Sequence, residues 1–496
     1  MISLRWGGVT YEQSESKGTT ISGHGFMSDL GGTYNIASAE MKDTPGATYS
    51  KWVMLSYLGR LNYTYNDRYL ATVSFRADGS SRYSKGSKWG YFPSVALAWR
   101  IKEESFLKDV DIIHNLKLRA GYGESGNTAI SPYSTFDLLT PMSTVFGKDA
   151  YQFYHPSSYF NFALRWETTA QWNFGLDLGL WKNRFRLTAD YYMKKTYDLL
   201  NSVELPESSG FISGTKNIGI MMNNGFEFQA DARLIDKAVI WDLSVNASFN
   251  RNKVHRLPYG EDVPGSKRSI TIINDYINLL REGQPIGVFY GYVEDGYDDA
   301  GSIRYKNLDN DSGGLINELD KDIIGDPNPL STFGMNTSVS WKNFTLSVYA
   351  QGSYGNDIYS LAMASTCYNY SGARGINTLS EVLYNHWTPE NPNAQYPALT
   401  SAATTSLRMS DRFVYDGSYL RLKNIELAYN IPLKKLRWIR SCVFYLSGQN
   451  LLTVTSYPFY NPDVNTYGGS SSVSQGVDNF SYPSSKGFTT GIRMQL

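Results

Sequence analysis

The segment best equipped for chemistry is Asp309-Asn-Asp311-Ser-Gly-Gly314-Leu315-Ile316-Asn317-Glu-Leu-Asp320. Carboxylates stand at its first, third and last positions, Gly314 falls where a sharp turn is needed, and Asn317 follows. A calcium-binding loop presents its oxygen ligands in this order, with the Leu315 carbonyl among them. Two features depart from that pattern. Gly313 brings no side chain to the fifth position, and Asp320 is shorter than the bidentate Glu usual at the last. The alternative is an acidic, solvated turn. Nothing else in the sequence groups into a metal or catalytic centre. His24, His114, His155, His255 and His386 are scattered, Cys367 and Cys442 lack metal spacing, and no glycine-rich phosphate loop precedes a helix. With no nucleophile and base nominated, the chain does not read as an enzyme.

A second group is aromatic. Tyr151, Phe153 and Tyr154 (with Tyr159 and Phe160), Tyr368 and Tyr370, and Tyr457 and Phe459 (with Tyr460) cluster in three connecting stretches. Rings of this kind stack on the apolar faces of sugars at low entropic cost, which makes them candidate substrate-binding residues. The competing reading is that long connections use them to pack on themselves.

The elements that must carry these residues are strands. Tyr69, Ala71, Val73 and Phe75 alternate with Thr72, Ser74 and Arg76. Phe226, Phe228, Ala230 and Ala232 alternate with Glu227, Gln229, Asp231 and Arg233. In the last segment, Gly487 to Leu496, Phe488, Thr490, Ile492 and Met494 fall opposite Arg493 and Gln495. The test predicts roughly 14 strands, near 2–14, 52–65, 68–78, 91–101, 115–123, 166–181, 184–196, 222–234, 239–251, 331–341, 344–354, 418–430, 440–452 and 487–496. Charges opposite a clean apolar face, strand after strand, need a wet interior and an apolar exterior. That is the pattern of a large antiparallel transmembrane β-barrel. Arg76, Arg119, Arg186 and Arg233 then face the lumen, where acids such as Asp190, Glu227 and Asp231 pair with them.

Short turns at Asn66-Asp67, Lys182-Asn183, Asp236 to Ala238 and Lys342-Asn343 alternate with the long connections 124–165, 197–221, 252–330, 355–417 and 453–486. Bacterial barrels keep short turns in the periplasm and long loops outside, so 252–330 and 355–417 are expected to be extracellular. The bulk numbers agree. Lys and Arg total 46 against 46 Asp and Glu, so no basic excess points to nucleic acid. Mean hydropathy is −0.36 and no long apolar run offers a membrane helix, a test to which alternating strands are blind. Aromatics reach 15%, in keeping with the aromatic girdles of barrels.

Several stretches, in order, resemble the SusC/RagA-type TonB-dependent transporters of Bacteroidota outer membranes. They are Asn62-Tyr-Thr-Tyr-Asn-Asp-Arg-Tyr-Leu70 with Phe75-Arg-Ala-Asp-Gly-Ser-Ser-Arg82, Gly90-Tyr-Phe-Pro-Ser-Val-Ala-Leu-Ala-Trp99, Leu116-Lys-Leu-Arg-Ala-Gly-Tyr-Gly-Glu-Ser-Gly-Asn127, Asn223-Asn-Gly-Phe-Glu227, Gly325-Asp-Pro-Asn-Pro329, Trp387-Thr-Pro-Glu-Asn-Pro-Asn393, Ser418-Tyr-Leu-Arg-Leu-Lys-Asn-Ile425 and Ser447-Gly-Gln-Asn-Leu451. The resemblance implies a barrel of about 22 strands around an N-terminal plug, of which this chain would supply roughly 14 and no plug. Met1-Ile-Ser-Leu-Arg-Trp-Gly-Gly does not read as a signal peptide. Residues 1–496 are therefore expected to be the C-terminal part of the barrel, begun at an internal Met by a truncated or split gene. The resemblance further implies import of glycan oligosaccharides, or less often peptides. TonB-ExbB-ExbD would drive it through the plug, and a SusD-like lipoprotein would cap it. Two other readings stay open, a self-contained passive channel and a soluble all-β glycan-binding protein.

Overall fold

The computed structural model describes residues 2–128, 130–156, 158–211, 213–257, 260–265, 267–269, 274–311, 314–368, 377–400, 407–433, 438–467 and 473–495. Fourteen strands form one antiparallel sheet in which order in space follows order in the chain. They are β1 (Ile2–Thr20), β2 (Gly46–Tyr65), β3 (Tyr69–Ser80), β4 (Trp89–Arg100), β5 (Ile113–Asn127), β6 (Glu167–Leu180), β7 (Phe185–Tyr197), β8 (Ile220–Asp236), β9 (Val239–Arg256), β10 (Ser331–Trp341), β11 (Phe344–Tyr354), β12 (Tyr419–Asn430), β13 (Ser441–Thr455) and β14 (Gly487–Gln495). Every expected strand is present. The largest differences lie at β1 and β2, which run six residues further than expected at their shared end, pairing Thr20 with Gly46. Residues 15–20 read Glu-Ser-Lys-Gly-Thr-Thr, with no apolar alternation to mark them. A barrel strand that outruns the membrane meets water on both faces and loses its signal.

The short turns form where the backbone must reverse with the right-handed twist of its strands. Asn66 and Asp67 have φ of 52° and 55°, Lys182 and Asn183 of 58° and 63°, and Lys342 of 53°. Left-handed central residues of this kind close two-residue hairpins, and Asn and Asp tolerate them best among non-glycine residues. On the same side of the sheet, the connection between β4 and β5 is held by one side chain. Lys102 Nζ donates to the carbonyls of Leu107, Lys108 and Val110 at 3.0, 3.0 and 2.8 Å.

The chain divides into two compact units, one of residues 1–97, 121–171 and 196–218 and the other of residues 98–120, 172–195 and 219–496. In the first, Tyr83, Phe92, Ile130, Leu164 and Trp166 make a small buried core. Tyr83 stacks on Trp166 with ring centroids 5.4 Å apart, and Phe92 meets the same indole edge-on at 5.6 Å. The indole N–H donates to the Lys88 carbonyl at 3.1 Å.

In the second unit the connections 252–330, 355–417 and 453–486 build one core together. Ile277, Phe289, Tyr292, Ile303, Tyr359, Leu361, Met409, Phe413 and Val477 are all buried in it. Three short strands, Val414–Asp416, Asp357–Ser360 and Val477–Asp478, lie side by side, the last pair parallel with Tyr359 opposite Val477. A helix, α1 (Leu361–Tyr368), buries Leu361, Ala362, Met363, Ala364, Cys367 and Tyr368. Each large apolar side chain covered this way contributes about 1.5–3 kcal/mol, an upper estimate. What the sequence presents as separate loops is a folded domain.

Candidate functional site

The two faces of the sheet differ in chemistry row by row. In the second unit, at the short-turn end, Val239, Trp341, Phe344, Tyr429, Phe444 and Ile492 stand in register across β9 to β14. Phe344 and Tyr429 rings are 4.8 Å apart, and Trp341, Phe344, Phe444 and Ile492 are 45–59% exposed. On the opposite face, three residues further along each strand, Arg233, Asp242, Ser338, Ser347, Glu426, Ser447 and Thr489 form a polar row. Large exposed apolar side chains recur along β2 to β14, among them Leu61, Phe75, Leu97, Phe226, Phe249, Leu346, Leu427 and Leu446. A continuous apolar face of this extent belongs against lipid rather than water.

The polar face carries the ion pairs that the alternation predicts. Arg119 reaches Asp177 and Asp190, each at 2.9 Å, and Lys117 joins Asp177 at 3.0 Å. Arg233 holds Asp242 at 2.9 Å, Arg186 lies 3.9 Å from Asp231, and Arg76 bonds Asp78 at 2.7 Å. On the last strand Arg493 grips both oxygens of Glu426, two strands away, at 3.0 and 2.7 Å. Its guanidinium passes 4.1 Å above the Tyr445 ring of the strand between them. Arg493 therefore lies on the polar face, while Phe488, Ile492 and Met494 lie exposed on the other.

The aromatic candidates separate into two groups. Tyr151, Phe153 and Tyr154 are exposed on a hairpin, Leu139–Phe146 with Asp149–Pro156. The register puts Tyr151 and Phe153 opposite Thr144 and Met142 on one face, and Tyr154 opposite Pro141 on the other. Tyr368 and Tyr457 are corrected from substrate contacts to core residues. Tyr368 is 3% exposed and accepts from Arg412 Nη1 at 3.3 Å. Tyr457 is 4% exposed, and its hydroxyl donates to Asp478 at 2.6 Å beside Ser360 Oγ at 2.9 Å. Phe459 is partly buried against the same core, and Tyr370 lies outside the described residues. The charge-free run Ile358 to Tyr368 is the sequence signal for burial here.

The core is also clamped by charge. Arg412 Nε meets Glu294 Oε1 at 2.5 Å, while its other nitrogens bond the Gln395 carbonyl at 2.6 Å and the Tyr297 hydroxyl at 3.2 Å. Both partners are less than one fifth exposed. Burial raises the Glu294 carboxyl above its ordinary range, and Arg412 opposes that rise.

The acidic loop turns its oxygens inward, toward N–H groups. Asp320 Oδ1 accepts from the Leu308 and Asp309 amides at 2.6 and 3.3 Å, and Oδ2 from the Asn317 amide at 2.8 Å. Asp309 accepts from the Asp311 amide and from Asn317 Nδ2, Asp311 from Asn307 Nδ2, and the Leu315 carbonyl from Asn317 Nδ2. Asn317 and Asp320 form a reciprocal cap on a short 3-10 turn, Glu318–Asp320. Backbone donors, Asn317 first, hold Asp320 below the usual carboxylate range. Among the described residues no three acidic, His or Cys side chains group to hold a metal. The calcium expectation is corrected accordingly: this geometry is that of the acidic turn.

A sheet with an apolar face, a charged opposite face and a domain of long connections is the wall of a membrane β-barrel. Residues 3–356 match the model of the "TonB dependent receptor-like, beta-barrel" family. The chain belongs to that family. Its members are outer-membrane proteins and not enzymes, and within them this chain is of the SusC/RagA type. It is 35% identical to TonB-dependent receptor P3 of Formosa agariphila over 99% of its own length and 50% of the relative's. It is 33% identical to TonB-dependent receptor SusC of Bacteroides thetaiotaomicron, over 89% of this chain and 44% of that one. A solved structure of the RagAB peptide transporter superposes with a TM-score of 0.83 at 25% identity, covering 99% of this chain and 53% of that one. The chain thus spans about half the length of the curated relatives it matches.

Proposed function

We propose that this chain is the C-terminal part of the barrel of an outer-membrane importer. It works with TonB-ExbB-ExbD and a SusD-like lipoprotein, and its cargo is a glycan oligosaccharide or a peptide. The carrying observation is that nearly the whole chain superposes on about half of a peptide transporter, while its named relatives include SusC. The connections 252–330 and 355–417 then lie outside the cell. The domain they share with 453–486 is a firm platform at the mouth, suited to receive a lid. Tyr151 and Phe153, exposed together on their hairpin, remain candidates for first contact with cargo.

The test is uptake. Cells whose only copy of the whole transporter is this one should accumulate labelled oligosaccharide or peptide in a manner abolished by loss of TonB or by an uncoupler. Accumulation indifferent to both would point instead to a passive channel.

A further inference from the structure

A hollow of about 380 Å³ opens on the polar face of β9 to β12, toward the long connections. This is within the range of about 300–1,000 Å³ typical of small-ligand sites. Its floor follows from register, because Asn246, Gly334 and Gln351 stand side by side across β9 to β11, and Arg421 of β12 continues the row beyond the hollow. Gly334 is the gap in that row. A Cβ there would stand 3.0 Å from Asn246 Oδ1, so the missing side chain lets the Asn246 amide lean over the floor. Tyr349 stands beside it, 37% exposed, with its hydroxyl 3.3 Å from Gln351 Oε1.

Asp463, from the connection after β13, also lines the hollow. Arg421, 3% exposed, holds it at 3.4 Å while bonding Thr453 and Asn461. The carboxylate is therefore set in place before any ligand arrives, and little ordering cost remains to be met on binding.

We propose that this hollow is a subsite for a neutral sugar ring. This rests on the importer reading. The Tyr349 ring covers the apolar C–H face of the sugar. The amides of Asn246 and Gln351 both donate and accept, as hydroxyls do, and Asp463 accepts from an adjacent pair of hydroxyls. A peptide backbone would need a free strand edge or apolar side-chain pockets. Here β10 and β11 are paired on both sides, and half of the lining residues carry an amide or a hydroxyl.

The test uses the whole transporter, purified from outer membranes, with a panel of short neutral oligosaccharides and a matched peptide mixture as probes. At least one oligosaccharide should bind. Tyr349→Leu and Gln351→Leu should each weaken it about tenfold, and Tyr349→Phe, which keeps the ring, by no more than about threefold. Asp463→Asn lies outside the strands and should also cost about tenfold, so an assembly defect in the strand variants leaves a second reading. Unchanged oligosaccharide affinity in all three weakening variants would overturn the subsite and leave the importer standing. Binding of peptides alone would overturn the sugar assignment. Absence of TonB-linked uptake of either probe would remove the importer reading and this subsite with it.

Discussion

Tyr192 of β7 lies across Gly225 of β8, and its hydroxyl donates to Asn250 Oδ1 of β9 at 2.9 Å. A Cβ added at Gly225 would collide with that ring and its hydroxyl. The glycine of the Asn223-Asn-Gly-Phe-Glu227 stretch is thus the slot into which the neighbouring strand's tyrosine fits. Gly225→Ala is expected to displace the ring and destabilise the barrel by about 1–3 kcal/mol, the usual range for overpacking. Urea titration of the whole transporter in lipid would measure it. Combining it with Tyr192→Ala should cost less than the two changes summed, because one residue removes the obstacle met by the other. Strict additivity would mean that the two do not touch.

The face assignment predicts depth-dependent costs. Ile425 pairs with Val348 toward the middle of the sheet, whereas Ile492 belongs to the aromatic row at the short-turn end. Ile425→Arg should cost about 2–4 kcal/mol and Ile492→Arg only about 0–1. Heat-modifiable migration and refolding into vesicles report both. Equal costs would place the aromatic row away from the interface.

Removing Arg412 leaves Glu294 buried without its counter-charge. Arg412→Met should lower the stability of the loop domain by about 3–5 kcal/mol, read from protease resistance and thermal melting. Glu294→Gln in the same chain should recover part of that loss, since it removes the stranded charge.

Asp320 gives a pH prediction. Its carboxyl is held below the ordinary range by backbone N–H donors. Its stabilising effect is therefore complete above the unfolded value, about 3.9, and is lost as pH falls through the lowered folded value. Amide exchange at Leu308 and Asn317 should quicken only below about pH 4. Asp320→Ala should give the same opening at neutral pH. Calcium or chelator should leave both results unchanged, and a chelator-dependent loop would restore the metal reading.

The strands were legible because period-two alternation is enforced by two solvents, lipid on one side and water on the other. Arg493 beside Ile492 and Met494 could be assigned to its face from the sequence alone. The loop domain was not legible, because its contacts join residues far apart. Nothing local to Tyr457 says that Asp478 and Ser360 will close around its hydroxyl, and nothing local to Glu294 points to Arg412. The acidic loop misled for a different reason. The spacing that can wrap an ion also lets Asp320 reach the amides of Leu308 and Asn317, and sequence order does not separate the two.

The parallel pairing of Tyr359 with Val477 bears on how the protein is assembled. The partner of the Asp357–Ser360 strand comes from the connection after β13, beyond β11 and β12 in the chain. A chain in which Val477 does not reach its partner leaves Phe289, Tyr359 and Phe413 less covered. Exposed apolar surface of that kind is what aggregation and proteolysis act upon. The loop domain therefore reports whether its three connections have met, and a chain in which they have not is recognisable as misassembled.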